Sequence, residues 1–304
     1  MGIADVWSLC RATYEEWSKD KASRLAAALA FYAIFSLAPL LILTITFAAL
    51  FYGDDAARGL IATQIEKYVG RAGAEVIQGI LRSSARQPPG LAAAIGFGTL
   101  LMGGIGIFNQ LQDALNTIWG VETEPFESVW QMIRLRAGAL LEVLGVCAMF
   151  LAMLIVSTIL SAAGQFAGSA LPEFSYGWHL LDVGGSFSVM FILFAFAFKK
   201  LPEATVEWRD VWQGAGITAL LFSAGKSLIG IYLGRSSVGS AYGAAGSLVA
   251  LLVWIYYSAQ IMLFGAEFTK VCARKRGAHV LPKEHARALT AESRAEQGMS
   301  PGPH

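Results

Sequence analysis

Lys226 is the side chain with the most chemical promise in this sequence. It sits inside an apolar stretch at about 211–233, with no other Lys or Arg between Arg209 and Arg235. An ammonium placed in hydrocarbon is costly, so it turns toward a polar interior. One reading has Lys226 meet an anionic substrate group, or a carboxylate, inside a cavity. The other has it snorkel to an interface or make a structural ion pair. Glu142, Asp182 and Glu267 are the candidate carboxylates, all near the ends of apolar stretches. Further polar residues share helical faces with apolar ones. Tyr257, Gln260, Phe264 and Glu267 form one stripe. Asn109, Gln112, Asp113 and Asn116 form another, opposite Ile107, Leu111, Leu115 and Ile118. The second stripe lines an inner vestibule, or is the solvated side of an interfacial helix. Tyr32 and Ser36 complete the candidate cavity. Pro39, one turn later, removes the hydrogen bond to the Phe35 carbonyl and kinks the helix, as a gate or as plain structure.

Other chemistries find nothing to use. The sequence has no Walker A loop, no HExxH, no CxxC and no GxSxG beside a histidine. His279, His285 and His304 lie near the C-terminus and His179 far from them, without metal spacing. No metal, cofactor or catalytic residue is expected, and an enzyme is the weaker class. The net charge is +1, which gives no overall field for nucleic acid. Cys10, Cys147 and Cys272 suggest no structural disulfide.

The elements that position these residues are apolar helices. The chain is 55% hydrophobic and 15% charged, where soluble domains carry about 25% charge. Six stretches suit a crossing of roughly 20 residues, at about 27–52, 91–108, 137–161, 180–198, 211–233 and 244–268. Lys and Arg number 16 on one side of this arrangement and six on the other. The richer side marks the cytoplasm and holds both termini. No cleavable leader is expected, so the first span acts as the insertion signal. The predicted fold is all-α and polytopic, with a six-span domain over 26–275. Residues 1–25 hold an amphipathic interfacial helix, with Val6, Cys10, Thr13 or Tyr14, and Trp17 on one face. Residues 61–80 show helical spacing in the first external loop. Residues 276–304 are polar and Ala-rich and read as a flexible cytoplasmic tail. Ala215, Ala219, Ser223 and Ser227, followed by Gly230 and Gly234, form a small-residue seam suited to helix packing.

Several stretches resemble the YihY/BrkB family of bacterial inner-membrane proteins. The first span reads ALAFYAIFSLAPLLI, with Tyr32, Ser36 and Pro39 in the family's pattern. LQDALNTIWGV carries the L-N-x-I-W element at Leu115, Asn116, Ile118 and Trp119. LPEATVEWRDVWQGA carries P-x-x-x-V-x-W at Pro202, Val206 and Trp208. The last span matches through Tyr242, Gly243, Gly246, Trp254, Tyr256 and Gly265 to Phe268. The resemblance covers about residues 10–275. It implies six inner-membrane spans and no agreed catalytic residues. Members have carried a ribonuclease label, which the motifs here do not support. Others carry a virulence label, and lipid handling has been suggested for relatives.

Three functions follow in order of expectation. The first is a transporter or lipid-handling protein for an anionic or amphipathic envelope component. The second is a structural or scaffolding membrane protein. The third is an enzyme. The expected partners are membrane lipids and a second copy of the chain, not nucleic acid.

Overall fold

The computed structural model describes residues 3–35, 53, 59, 106–124, 175–235, 246–278 and 280–299. Within them the chain is mostly helical. The elements in order are α1 (Ile3–Lys19), α2 (Ala22–Phe35), α3 (106–119), β1 (Val121–Thr123), α4 (Ser175–Lys200), α5 (Trp208–Arg235), α6 (Gly246–Lys275), β2 (Ala286–Ala288) and α7 (Ala291–Glu296). The fourth expected span falls inside α4, the fifth inside α5, and most of the last inside α6. The third span, the external helix at 61–80, Ser36 and Pro39 lie outside the described residues.

Among the described residues one helix, Val249–Lys275, is long and apolar enough to cross a membrane. About 39% of its most apolar window is buried. Phe31, Phe35, Ile192, Leu220 and Leu228 are all more than half exposed on α2, α4 and α5. Water would penalise that surface.

Helices α5 and α6 pack through a reciprocal contact of small residues. A Cβ added to Gly214 would lie 1.7 Å from Thr269 Oγ1, and one added to Gly265 would lie 1.7 Å from Thr218 Oγ1. Each glycine therefore receives the other helix's threonine. Each threonine hydroxyl donates to the carbonyl four residues earlier, Thr218 to Gly214 and Thr269 to Gly265, both at 2.7 Å. No hydroxyl hydrogen is left unmatched in this tight seam. Farther along, Gly225 lies under Tyr257 and Ile261. Ala215 and Ala219 are fully buried in the main apolar cluster with Phe198, Leu115, Ile118 and Leu263. Two of the six expected seam residues are thus buried, but the closest approach uses Gly214 and Thr218, one position earlier. Ser223 is exposed. Gly230 and Gly234 lie on α5, while the side chain of Ser227 lies outside the described residues.

The tail expected to be flexible folds back on the molecule. Gly277, at φ +76°, ends α6: its N–H donates to Arg274 O, and Ala278 N–H donates to Ala273 O. A residue with a Cβ resists that left-handed turn. Beyond it, Thr205 N–H donates to Leu281 O and Lys283 N–H to Glu203 O. Strand β2 pairs antiparallel with β1, Val121 opposite Ala288 and Thr123 opposite Ala286. Thr290 caps α7 by accepting from Ser293 N–H at 3.1 Å. Composition misled here because the ordering partners are remote in sequence.

Candidate functional site

The turn between α1 and α2 starts the site. Lys21 adopts φ +49°, a left-handed conformation uncommon outside glycine. The chain reverses there, and Asp20 is left 1% exposed. Helix α1 presents Glu16 to α6, and the turn after it presents Asp20, four residues on. Leu9 lies on the same side, packed with Phe268, Val271 and Cys272. The residues of the expected amphipathic face are divided, and the side chain of Val6 lies outside the described residues. Cys10 and Tyr14 are exposed, as is Trp7, while Thr13 is fully buried and Trp17 half-buried.

Helix α6 supplies Glu267 and Lys270, three residues apart and on one face. The Lys270 ammonium donates to Asp20 Oδ2 at 2.7 Å and Glu267 Oε2 at 3.1 Å, and lies 3.2 Å from Glu16 Oε2. Arg274, one turn on, donates to Glu16 at 2.9 Å. From the tail, Arg294 donates to Asp20 Oδ1. Asp20, Glu267, Lys270 and Arg294 are each 9% exposed or less. One oxygen from each of Glu16, Asp20 and Glu267 lies within 4.8 Å of the other two. Carboxylates so close repel one another, and the Lys270 ammonium contacts all three. Burial opposes ionisation of Glu16. Lys270 and the Lys19 hydrogen bond more than offset this and hold its carboxyl near 2, against an ordinary 4.5. Glu267 Oε1 is buried and has no hydrogen-bond partner among the described residues.

The other expected site residues fall in three places. Gln112 donates to Glu203 Oε1 at 2.9 Å and to Leu201 O at 3.2 Å, and Asn116 Oδ1 accepts from Glu203 N–H at 2.7 Å. These two hold the turn after α4. Asn109 and Asp113, on the same helix, are exposed. Tyr32 is 41% exposed and packs against Gly106. Gln112 and Asn116 thus engage the turn after α4, while Asn109 and Asp113 stay exposed. Tyr257 covers Gly225, and the buried Gln260 Oε1 has no partner among the described residues. Lys226 belongs to α5, next to Gly225 and level with Tyr257 and Ile261; its side chain lies outside the described residues. Glu267 is six to ten residues farther along α6, roughly 9–15 Å at 1.5 Å per residue. Glu267 is instead engaged by Lys270. Glu142 and the side chain of Asp182 are outside the described residues.

Sequence reading missed Glu16, Asp20, Lys270 and Arg294. The spacing Glu267–Lys270 and the pair Glu16–Asp20 each offered a local sign. Nothing local joins Arg294 to Asp20, 274 residues away.

Residues 13–290 match the family model described as virulence factor BrkB. The chain belongs to the BrkB family. The matched span contains Glu16, Asp20, Glu267 and Lys270 and stops short of Arg294. Similar proteins include a UPF0761 membrane protein of Verminephrobacter eiseniae strain EF01-2, 28% identical over 84% of this chain and 60% of its own length. Another, from Stenotrophomonas maltophilia strain R551-3, is 27% identical over 88% of this chain and 62% of its own. The chain spans about three-fifths of the length of these relatives. No solved structure matches it. This BrkB-family chain is a mostly helical membrane protein, as its resemblance implied.

Proposed function

We propose that this BrkB-family protein is a six-span protein of the bacterial inner membrane, with both termini cytoplasmic, that moves or hands over an anionic or amphipathic envelope component. It is not an enzyme on this reading and binds no nucleic acid. The observation that carries it is at mid-helix. Lys226 on α5 and Gln260 on α6 stand at one depth on two apolar helices, and Gln260 Oε1 is buried without a donor among the described residues. Polar groups at such depth are expensive and mark paths for polar cargo. With no nucleotide-binding loop in the sequence, an ion gradient, a partner or the cargo's own gradient drives movement. The test is Lys226→Ala in cells that depend on the protein. Function is lost while the amount of membrane-inserted protein stays the same. Full function in that variant removes Lys226 from the mechanism.

One observation favours the scaffolding alternative. The buried charges at the end of α6 neutralise one another and tie α1, α6 and the tail together. That arrangement suits a clamp, and a membrane scaffold needs nothing more.

A further inference from the structure

A second polar environment lies away from the charge cluster, where α4 ends and α5 begins. A cavity of about 630 Å³ is bounded there by Trp119, Lys199, Trp208, Arg209 and, from the tail, Leu281. Its charges are unequal. Asp210 also lines it, but Arg276 from outside the lining pairs with that carboxylate. This leaves Lys199 and Arg209 facing one exposed acid, Glu207. Lys199 is held in place. It donates to Val206 O, and its ammonium stands 5.5 Å from the centre of the Trp208 ring. Trp119 is 4% exposed, yet its indole N–H has no acceptor among the described residues. A buried donor without an acceptor is costly, so it is a group that an incoming oxygen would satisfy.

The surroundings indicate where that oxygen comes from. Trp208 and Trp212 are each about half exposed, with ring centres 6.0 Å apart. Tryptophans with one wet and one dry side concentrate at the headgroup level of a bilayer. Lys200, Arg274 and Lys275 end α4 and α6 on the same side.

We infer that this cavity binds the phosphate headgroup of an anionic lipid from the adjoining leaflet. Lys199 and Arg209 meet the phosphate oxygens, the Trp119 N–H donates to one of them, and Trp208 shields the contact from water. The acyl chains leave past Trp212 along the apolar face of α5. The inference rests on the lipid-handling reading above and names where the lipid is held.

The test is binding, measured by native mass spectrometry on the full chain in mild detergent. The probes are short-chain phosphatidylglycerol, phosphatidylcholine with the same chains, and free glycerol phosphate. Phosphatidylglycerol is expected to bind about tenfold more tightly than phosphatidylcholine, and glycerol phosphate to compete only weakly. Arg209→Gln, at an exposed position, weakens phosphatidylglycerol about tenfold, the loss expected for a hydrogen bond to a charged group. Trp119→Phe, which keeps a ring in the core, weakens it severalfold. Lys199→Gln is the harsher variant because it also frees the Val206 carbonyl; if it fails to fold, Arg209→Gln decides. Equal retention of the two lipids, or unchanged binding by Arg209→Gln, overturns the proposal. Glycerol phosphate competing as well as the lipid overturns it too, in favour of a soluble phosphate ligand. These results are independent of the Lys226→Ala test, which reads function rather than headgroup selectivity.

Discussion

Asp20 is the residue on which the buried charges depend. It accepts from Lys270 on one oxygen and from Arg294 on the other. Asp20→Ala leaves both cations buried without it. Removing one partner of a buried pair costs about 3–5 kcal/mol, because the other charge stays desolvated. The expected result is a large fall in melting temperature in detergent; a fall of a degree or two would show the cluster to be well hydrated. Glu16 gives the pH dependence. Its carboxyl is near 2 in the fold and near 4.5 in the unfolded chain. Its stabilising contribution is therefore complete above about pH 4.5 and disappears as pH falls toward 2. A Glu16→Gln variant should lose less stability across that window than the parent. Parallel curves for the two would show that Glu16 does not drive the acid response.

Between helices, the deciding feature is the exchange of threonine for glycine across α5 and α6. Gly214→Ala puts a methyl group 1.7 Å from Thr269 Oγ1, so the helices must separate. Overpacking of this kind costs about 1–3 kcal/mol. Adding Thr269→Ala removes that nearest atom and restores part of the loss, although the next contact, at 2.9 Å, remains. A thermal-shift comparison of parent, single and double variants measures both effects. If Gly214→Ala melts with the parent, the helices do not touch there. The same seam shows how far spacing could be read. Ala215 and Ala219 were recognisable as small and are buried. The tighter line one residue earlier was hidden, since Gly214 and Thr218 find their counterparts, Thr269 and Gly265, only on the other helix.

Across the whole protein, the tail joins distant parts. Strand β2 pairs with β1, Leu281 accepts from Thr205, and Arg294 reaches Asp20. Deleting residues 277–304 opens all three contacts and uncovers Asp20. The deleted protein should still insert in the membrane but melt earlier and be cut faster by protease between α1 and α2. An unchanged melting curve would mean the tail rests on the surface without holding it. Under the scaffolding alternative the same deletion also abolishes function. Under transport its effect is confined to stability.

The amino-acid sequence by itself determined the apolar helices, the uneven placement of Lys and Arg, and the family. Those properties depend on composition and on periodicity over a few turns, which neighbouring residues set together. It also exposed Lys226 and Gln260, because a polar group stands out against an apolar run. Only the tertiary structure decided that Glu267 belongs with Lys270, Asp20 and Arg294, that Gln112 and Asn116 hold a turn, and that the tail is ordered. A carboxylate's partner is chosen by whatever surrounds it once water is removed. In this chain those surroundings come from residues up to 274 positions apart, a distance over which no local spacing carries information.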